Sequence, residues 1–409
     1  MAKEYKDLVV GLDIGTAKVM VVVAEVLPGG ELKLAGLGVA PSNGLKRGVV
    51  VNIDATVHSI QQALKEAELM ADCKITRVYT GITGSHIRGI NSSGMVAVKD
   101  REVSSADVAR VVETAKAINI STDQRLLLVE PQEFIIDGQD VREPNGMSGI
   151  RLEAKVHIVT GAQSAAENII KCVRRCGLEV EQLMLNPLAS SLSVLTEDEK
   201  ELGVACVDIG AGTTDVAVFT GGAIRYTSVI PIAGDLITSD IAMALRTPTK
   251  DAEDIKVESG YAKQLLADPD VQVEVPGLGD RGPRMLSKQA LAGVIEPRVE
   301  EIFSLVHQVL RDSGCEEVLS SGIVLTGGSS IMPGMVELGE DIFLKPVRRG
   351  VPKYSGALAD MVGQPRAATV MGLLEEARMA RMRGYKVAQQ HGSMKTALGR
   401  VKDWFIGNF

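Results

Sequence analysis

Aromatic residues are scarce in this sequence of 409 residues, because Phe, Trp and Tyr together make up only 3% of it. Proteins that bind single-stranded nucleic acid stack the bases on aromatic side chains, so such platforms are not expected here. The formal net charge of −8 argues in the same direction, since nucleic-acid-binding proteins neutralise phosphates with an excess of Lys and Arg. We therefore expect no nucleic acid among the partners of this protein.

Two familiar nucleotide-binding motifs are also missing. No Gly-Lys dipeptide occurs in the chain, which excludes a P-loop. The segment from Gly210 to Gly212 lacks the third glycine of a dinucleotide-binding fingerprint and leads into a strand pattern rather than a helix. A bound nucleotide would have to be held by a different arrangement.

The cysteines do not form a metal-binding pattern. There are five of them, and Cys172 and Cys176 lie one helical turn apart. Zinc sites need a second Cys or His pair at a suitable spacing, and none lies nearby. Packing in the core is therefore the favoured interpretation of these residues.

Long apolar runs are absent as well. None reaches the roughly 18 residues that a membrane-spanning helix needs. The N-terminus is charged and leads directly into a strand pattern, so we expect no signal peptide and a cytosolic protein. A chain of 409 residues exceeds one typical hydrophobic core, which predicts two or more domains.

The most informative segment, 204–219, has the pattern of a strand, a Gly-rich turn and a second strand. The turn carries Gly210, Gly212, Thr213 and Thr214. Two glycines allow backbone N–H groups to converge on an anion, and the threonines add hydroxyl groups. Asp208, at the end of the first strand, is placed to hold a hydrated cation beside that anion.

Segment 9–23 repeats this pattern near the N-terminus. Its Asp-Ile-Gly unit begins at Asp13, 195 residues before the unit that begins at Asp208. Its turn offers Gly15, Thr16, Ala17 and Lys18. An internal repeat of this kind predicts two similar half-molecules that face one ligand.

Together the two turns could hold a nucleoside triphosphate. Asp13 and Asp208 are candidate Mg²⁺ residues, acting largely through water, because Mg²⁺ keeps several of its own waters and needs few direct protein ligands. A third Gly-rich turn follows a buried strand pattern and would let the backbone approach the nucleoside. It consists of Gly327, Gly328 and Ser329.

Residues 85–161 interrupt the first half of the chain. They predict a strand (87–98), a helix (104–118) and two further strands (125–136 and 150–160), each with an apolar face. This βαββ pattern is long enough to form a small inserted domain.

These motifs make the chain resemble the actin, Hsp70 and sugar-kinase ATPase superfamily. Within it, the chain resembles the FtsA family of bacterial cell division proteins over its whole length, including the insert and an amphipathic C-terminal segment. The resemblance implies an α/β protein with a two-lobed actin-like ATPase fold, built from duplicated ribonuclease-H-like domains with the βαββ subdomain inserted in the first lobe.

The resemblance also implies a division of the chain. The first lobe would comprise 1–84, 162–195 and 363–383, interrupted by the insert at 85–161. The second lobe would comprise 196–245 and 306–362, with a smaller subdomain at 246–305. A linker at 384–393 would lead to an amphipathic membrane-targeting helix at 394–409.

The family binds ATP with Mg²⁺ between the lobes, and the matching residues here would do the same. Asp13 and Asp208 would align the metal waters, the two turns would face the phosphates, and the third turn would flank the ribose and α-phosphate. Glu253 and Lys256 resemble the family's ribose- and adenine-side residues. A solvated i,i+3 pair on a helix is the alternative for these two.

One position departs from the relatives that hydrolyse ATP. They have a Glu or Gln in the connecting stretch that orients the attacking water, and here Asn186 is the matching, water-orienting candidate. Asn is not a general base at neutral pH, and its side chain is shorter. We expect slow hydrolysis, with ATP acting mainly as a structural and polymerisation ligand.

The C-terminal segment 394–409 is amphipathic. From Arg378 onward the chain carries a net charge of +6, which leaves −14 on the remainder. A basic, aromatic-containing amphipathic helix favours attachment to a membrane surface over docking on the protein's own core. The residues expected to contact the membrane are Leu398, Arg400, Val401, Lys402, Trp404, Phe405, Ile406 and Phe409.

The resemblance therefore implies a polymerising, ATP-binding adaptor that anchors FtsZ filaments to the cytoplasmic face of the cell membrane at the division site. The subdomain 246–305 would receive the C-terminal peptide of FtsZ, and the insert would contact later division proteins and neighbouring subunits. The alternative is a sugar or metabolite kinase of the same fold, for which we find no convincing catalytic Asp. An Hsp70-like chaperone would need a peptide-binding domain for which about 25 residues leave no room.

Overall fold

The chain forms two five-stranded sheets with helices on their faces and a four-stranded sheet inserted into the first half. The computed structural model describes residues 7–279 and 281–390. The elements that precede the insert are β1 (Leu8–Ile14), β2 (Lys18–Val26), β3 (Leu32–Pro41), β4 (Leu45–Lys46), β5 (Val49–Val50), α1 (Ile53–Ala71) and β6 (Arg77–Ile82).

The insert contains four strands and one helix. They are β7 (Arg88–Ala97), α2 (Ser105–Ala115), β8 (Gln124–Ile136), β9 (Gln139–Val141) and β10 (Arg151–Ala162).

After the insert, the chain completes the first sheet and enters the second. These elements are α3 (Gln163–Arg175), β11 (Glu179–Leu185), α4 (Asn186–Val194), α5 (Glu197–Leu202), β12 (Val204–Ile209), β13 (Thr214–Thr220), β14 (Ala223–Ile230) and α6 (Gly234–Leu245).

The last part contains a small hairpin, a long helix and the return to the first lobe. Its elements are α7 (Thr249–Ser259), β15 (Gln272–Val275), β16 (Arg284–Ser287), α8 (Lys288–Asp312), β17 (Ile323–Thr326), α9 (Met335–Phe343), β18 (Val347–Arg349), α10 (Ala359–Val362) and α11 (Ala368–Gln390). Short 3₁₀ turns occupy Gln264–Leu266, Glu316–Val318, Gly328–Ile331 and Pro365–Ala367.

The two large sheets have the same topology. The first has the order β11-β6-β1-β2-β3 and the second the order β18-β17-β12-β13-β14. In each, the central hairpin is antiparallel and its first strand pairs in parallel with the next strand toward the other edge. The duplication predicted from the two Asp-Ile-Gly units is therefore present in the fold.

The central strands are almost continuously apolar because helices cover both faces of each sheet. In the first lobe, α1 and α3 pack on one face and α11 packs on the other. In the second lobe, α6, α8 and α9 contribute most of the core. Burial on two faces explains why these strands lack the alternating pattern of a half-exposed sheet.

The insert has its own core. Its sheet has the order β7-β10-β8-β9, and Val111 and Val112 of α2 pack on Leu152, Val156 and Ile158 of β10. The predicted βαββ pattern is confirmed, with β9 as an additional short strand. The turn between β8 and β9 is Asp137-Gly138, both with positive φ, which is a strong hairpin signal that the sequence interpretation missed.

The C-terminal helix is longer than expected. α11 continues to Gln390 and so includes most of the segment interpreted as a linker at 384–393. The predicted membrane-targeting segment 394–409 lies outside the described residues. Within residues 7–279 and 281–390, no helix is long and apolar enough to cross a membrane.

Candidate functional site

A cavity of about 590 Å³ lies between the two lobes. Ligand cavities usually measure roughly 300–1,000 Å³, so this one has room for a nucleotide. The predicted residues that line it are Asp13, Gly15, Thr16, Ala17, Lys18, Asn186, Asp208, Gly210, Gly212, Thr213, Glu253, Lys256, Gly327, Gly328 and Ser329.

Thr214 is the predicted residue that does not line this cavity. Its side chain is fully buried, and its hydroxyl donates a hydrogen bond of 2.7 Å to the carbonyl of Ile232. The structure therefore does not bring the Thr214 side chain to the cavity, because alternation along β13 points it into the lobe.

The two turns close in the same way. The Gly15 N–H donates to the Lys18 carbonyl over 2.9 Å, and the Gly210 N–H donates to the Thr213 carbonyl over 2.9 Å. In both turns the strand ends at the Asp-Ile pair, so the carboxylates of Asp13 and Asp208 reach the same cavity from opposite lobes.

The turns also touch each other. A β-carbon on Gly212 would lie 2.6 Å from the hydroxyl oxygen of Thr16 and 2.9 Å from the α-carbon of Arg47. Contacts this close exclude any larger side chain unless the lobes move apart. The lobes are therefore closed around the cavity, and glycine is required for that closure.

The negative charges of the Asp13 and Asp208 carboxylates are only partly balanced by neighbouring positive charge. Lys18 Nζ lies 3.3 Å from Asp13 Oδ2, whereas Asp208 Oδ2 accepts hydrogen bonds from Ser190 and, over 3.2 Å, from Thr369. Burial, and to a smaller extent Asp13, raises the pKa of Asp208 above its usual range. A cation between the lobes would relieve this repulsion.

Mg²⁺ fits this environment through water. In the part of the chain that the structure describes, no cluster of three or more His, Cys, Asp or Glu residues has the geometry of a direct metal site. Mg²⁺ is commonly held by one or two carboxylates together with phosphate oxygens and water. Asp13 and Asp208 match that donor set.

The third turn contacts the second. Ser329 Oγ donates to the carbonyl of Gly210 over 2.8 Å. Gly327 has φ of +85°, and a β-carbon there would collide with Asp208 Oδ1. The Gly-Gly pair therefore allows the backbone to pass directly beside the carboxylate that faces the cavity.

Glu253 and Lys256 of α7 form a wall of the cavity. Lys256 is 9% exposed, and its Nζ contacts Glu253 Oε2 at 2.6 Å, Thr238 Oγ1 at 2.8 Å and the Gly234 carbonyl at 3.2 Å. The lysine is thus buried and fully engaged, unlike the ammonium group of a solvated helix pair. The glutamate side chain is 46% exposed.

Asn186 begins α4 and is buried at the cavity wall. Its Oδ1 has no hydrogen-bond partner among residues 7–279 and 281–390. This oxygen is shielded from solvent and lies against Gly81 of β6, where a β-carbon would come within 2.0 Å of it.

Two family models match the chain. One, described as "Cell division protein FtsA", matches residues 205–372. The other, described as "SHS2 domain inserted in FTSA", matches residues 84–160. The second match covers the inserted sheet and α2.

Curated relatives align over nearly the whole chain. "Cell division protein FtsA" of Pseudomonas aeruginosa is 54% identical over 98% of both chains. The chain belongs to the FtsA family of cell division proteins. The FtsA proteins of Neisseria meningitidis and of Escherichia coli strain K12 are 51% and 45% identical, over 97% and 99% of this chain and 98% and 99% of theirs. A role in cell division follows from this membership.

Solved structures of low identity share the fold. The "PilM-PilN type IV pilus biogenesis complex" is similar with a TM-score of 0.66 at 18% identity, over 92% of this chain and 99% of the other. MreB 5 of Spiroplasma citri bound to AMPPNP has a TM-score of 0.58 at 15% identity, over 94% and 99% of the chains. These matches confirm the actin-like fold of this FtsA family member.

Several cavity residues were not predicted from the sequence. Thr83 follows β6, Asp215 lies in β13, and Arg366 and Thr369 precede or begin α11. Asp215 lies within segment 204–219, directly after Thr214, so its position in the motif was an available signal. The others come from distant segments, and no local pattern marks them.

A larger cavity, of about 860 Å³, lies between the insert, the first lobe and the second lobe. Its walls include Pro131 and Phe134 of β8, Leu183 of β11, Ile224 of β14 and Met379 of α11. None of the predicted phosphate or metal residues lies there. The site chemistry therefore belongs to the smaller cavity, where the two Asp-Ile-Gly turns meet.

Proposed function

We propose that this FtsA family member is an ATP-binding, polymerising adaptor that anchors FtsZ filaments to the cytoplasmic membrane and helps recruit later division proteins. The observation that carries the proposal is the cavity between the two Asp-Ile-Gly turns, where the lobes meet at Gly212 and Thr16. The AMPPNP-bound MreB 5 structure has the same fold, which supports a nucleotide as the ligand.

The ligand in this proposal is ATP with Mg²⁺. The backbone N–H groups of the two turns and Lys18 would face the phosphates, and Asp13 and Asp208 would hold the metal waters. Gly327, Gly328 and Ser329 would lie beside the sugar and α-phosphate, and Glu253 with Lys256 would form the nucleoside wall. Bound Mg²⁺ would neutralise phosphate charge, and these side chains would keep it in place.

Hydrolysis is expected to be slow. The amide of Asn186 could hydrogen-bond to a water but cannot remove its proton at neutral pH. ATP in this account closes the lobes and fixes the shape of the subunit. The fold neighbour described as a "MamK double helical filament" supports assembly of such closed subunits into filaments.

The proposed partner sites follow the proposed division of the chain. The subdomain 246–305, which contains α7 and most of α8, would receive the C-terminal peptide of FtsZ. The insert, 85–161, would contact later division proteins and neighbouring subunits. Its separate core, formed between the inserted sheet and α2, supports a binding role of its own.

Membrane attachment is assigned to residues 394–409. α11 packs on the first lobe and runs toward this segment, so an anchored tail would hold the first lobe near the membrane. A few buried apolar side chains give about 1.5–3 kcal/mol each before ordering costs, which makes a single tail reversible. Polymerisation would add avidity.

The sole tryptophan, Trp404, allows a direct test of this assignment. Full-length wild-type protein should co-sediment with phosphatidylglycerol vesicles, and Trp404→Glu should stay in the supernatant while still binding ATP. Trp404→Phe is the matched control and should keep most of the vesicle binding. Equal co-sedimentation of the wild type and Trp404→Glu would contradict the assignment.

A further inference from the structure

The insert of the first lobe is bonded to the second lobe. Gln132 Nε2 of β8 donates to the carbonyls of Ile224, over 2.9 Å, and Arg225, over 3.2 Å. Asn91 Nδ2 of β7 donates to the Arg225 carbonyl over 3.2 Å. Both acceptors lie in β14, the edge strand of the second-lobe sheet. An edge strand exposes unpaired backbone groups, and here the insert supplies partners for two of them.

A buried histidine extends this contact. His157 of β10 is 1% exposed, and its Nε2 lies 2.9 Å from Thr227 Oγ1 of β14. Its Nδ1 lies 2.6 Å from Asn91 Oδ1 within the insert. An ion pair of 2.5 Å between Arg225 and Glu133 of β8 lies beside it. We call this set of residues the insert–β14 contact.

The approach of β7 to β14 depends on a glycine. A β-carbon on Gly89 would lie 2.8 Å from Thr227 Oγ1 and 3.0 Å from His157 Cε1. The position is in a regular strand, paired with Val159, and its φ is not positive. Alanine is therefore compatible with the backbone there, and its methyl group would act as a wedge between the two lobes.

The insert–β14 contact is connected to the nucleotide cavity by two paths, one along β14 and one through the chain that enters the insert. β14 bonds the insert near its start, and near its end Ile230 pairs with Thr214, next to the turn that lines the cavity. A strand of this length spans roughly 26 Å. On the other side, the chain enters the insert directly after Thr83, which lines the cavity and binds Asp215 of the second lobe.

Opening the cleft would have to break or distort this second connection. In this structure two contacts between the lobes are formed at the same time. The turns touch at Gly212 and Thr16, and the insert is docked on β14. Two contacts that form in the same closed state stabilise one another, and the coupling is reciprocal.

We propose that the insert is a second tie between the lobes, so that its docking on β14 and nucleotide binding in the cavity stabilise each other. This inference rests on the proposed nucleotide function. Its consequence is that whatever binds the insert and changes the insert–β14 contact also changes nucleotide affinity, without touching the cavity.

The test uses full-length protein and ATP with Mg²⁺. Gly89→Ala should raise the Kd for ATP by about 5-fold or more, which is the usual lower range of coupling between sites. Gln132→Ala should act in the same direction, because it removes the two Gln132 hydrogen bonds to β14 without adding volume. Gly29→Ala is the matched control, because a β-carbon there meets nothing within 4 Å.

A second measurement checks reciprocity. Saturating ATP should slow hydrogen exchange at the amides of β7 and β14 in the wild type, and less so in Gly89→Ala. Faster exchange of β14 in both variants with an unchanged Kd would overturn the inference while leaving the proposed function intact. Absence of ATP binding by the wild type would contradict both the inference and the proposed function.

Discussion

Thr83, which follows β6 in the first lobe, donates a hydrogen bond of 2.7 Å from Oγ1 to Asp215 Oδ1 of β13 in the second lobe. Asp215 is buried beside Asp208, its cross-strand neighbour. Burial first, and Asp208 second, raise the pKa of Asp215 to about 8. The lobes are thus joined at the cavity by a carboxyl group that is protonated at neutral pH.

Asp215→Asn should stabilise the protein in the absence of ligand. The folded pKa of Asp215 lies above its unfolded value of about 3.8. The contribution of Asp215 to the free energy of unfolding is therefore fully present below pH 3.8 and is lost as the pH rises to 8. The variant should gain on the order of 2–4 kcal/mol at pH 7 and little at pH 4, as measured by urea unfolding. The same gain at both pH values, or an equal gain in Asp100→Asn at the surface, would contradict this explanation.

Gly212→Ala should separate the lobes. The added β-carbon would meet Thr16 and Arg47, so the turns must move apart and the N–H groups can no longer converge on one ligand. We expect ATP affinity to fall at least about 10-fold, a loss of roughly 1.4 kcal/mol, in calorimetric titration. Gly29→Ala should bind as the wild type does. Wild-type affinity in Gly212→Ala would show that closure at this point is not needed.

Asn186→Ala should change phosphate release little. The wild-type rate should already be low, since Asn186 can orient a water but not deprotonate it. ATP binding should be retained in the variant, because Asn186 contributes one acceptor at the wall. A fast wild-type rate that is lost in Asn186→Ala would identify Asn186 as an efficient water-orienting residue instead.

His157 should make the protein sensitive to acid. Burial lowers its pKa to about 4, below the unfolded value of 6.5, so the unfolded chain binds the extra proton between these values. Stability from this group is complete above pH 6.5 and decreases toward pH 4, by up to about 3 kcal/mol. Urea unfolding of His157→Gln should show a smaller loss between pH 6.5 and 4.5. An identical pH dependence in the variant would assign the acid sensitivity to other groups.

The twin hairpins could be predicted because their signals are local. In each, an apolar strand, an Asp and a Gly-rich turn follow one another within a few residues, and the repeat places the two turns on one ligand. The βαββ insert was recognisable for the same reason, from strand and helix periodicity alone. The orientation of Thr214 was missed because a one-residue alternation decides which side of β13 faces the cavity.

Other features depend on contacts between distant segments. Thr369, at the start of α11, donates a hydrogen bond to Asp208, which lies 161 positions earlier in the chain. No sequence pattern around Thr369 predicts this contact. The insert–β14 contact depends on how the inserted sheet is oriented, which neither its periodicity nor its boundaries specify. Nothing in the sequence distinguishes Gly89 from other strand glycines. The need for glycine at this position follows only from its close approach to Thr227.

The most direct test of the account is an equilibrium titration of the full-length protein with ATP, with and without Mg²⁺. The account predicts one ATP per chain, with clearly tighter binding when Mg²⁺ is present, and loss of that Mg²⁺ dependence in Asp208→Asn. No saturable ATP binding, or the same Mg²⁺ dependence in the wild type and Asp208→Asn, would contradict a nucleotide clamp between these two lobes.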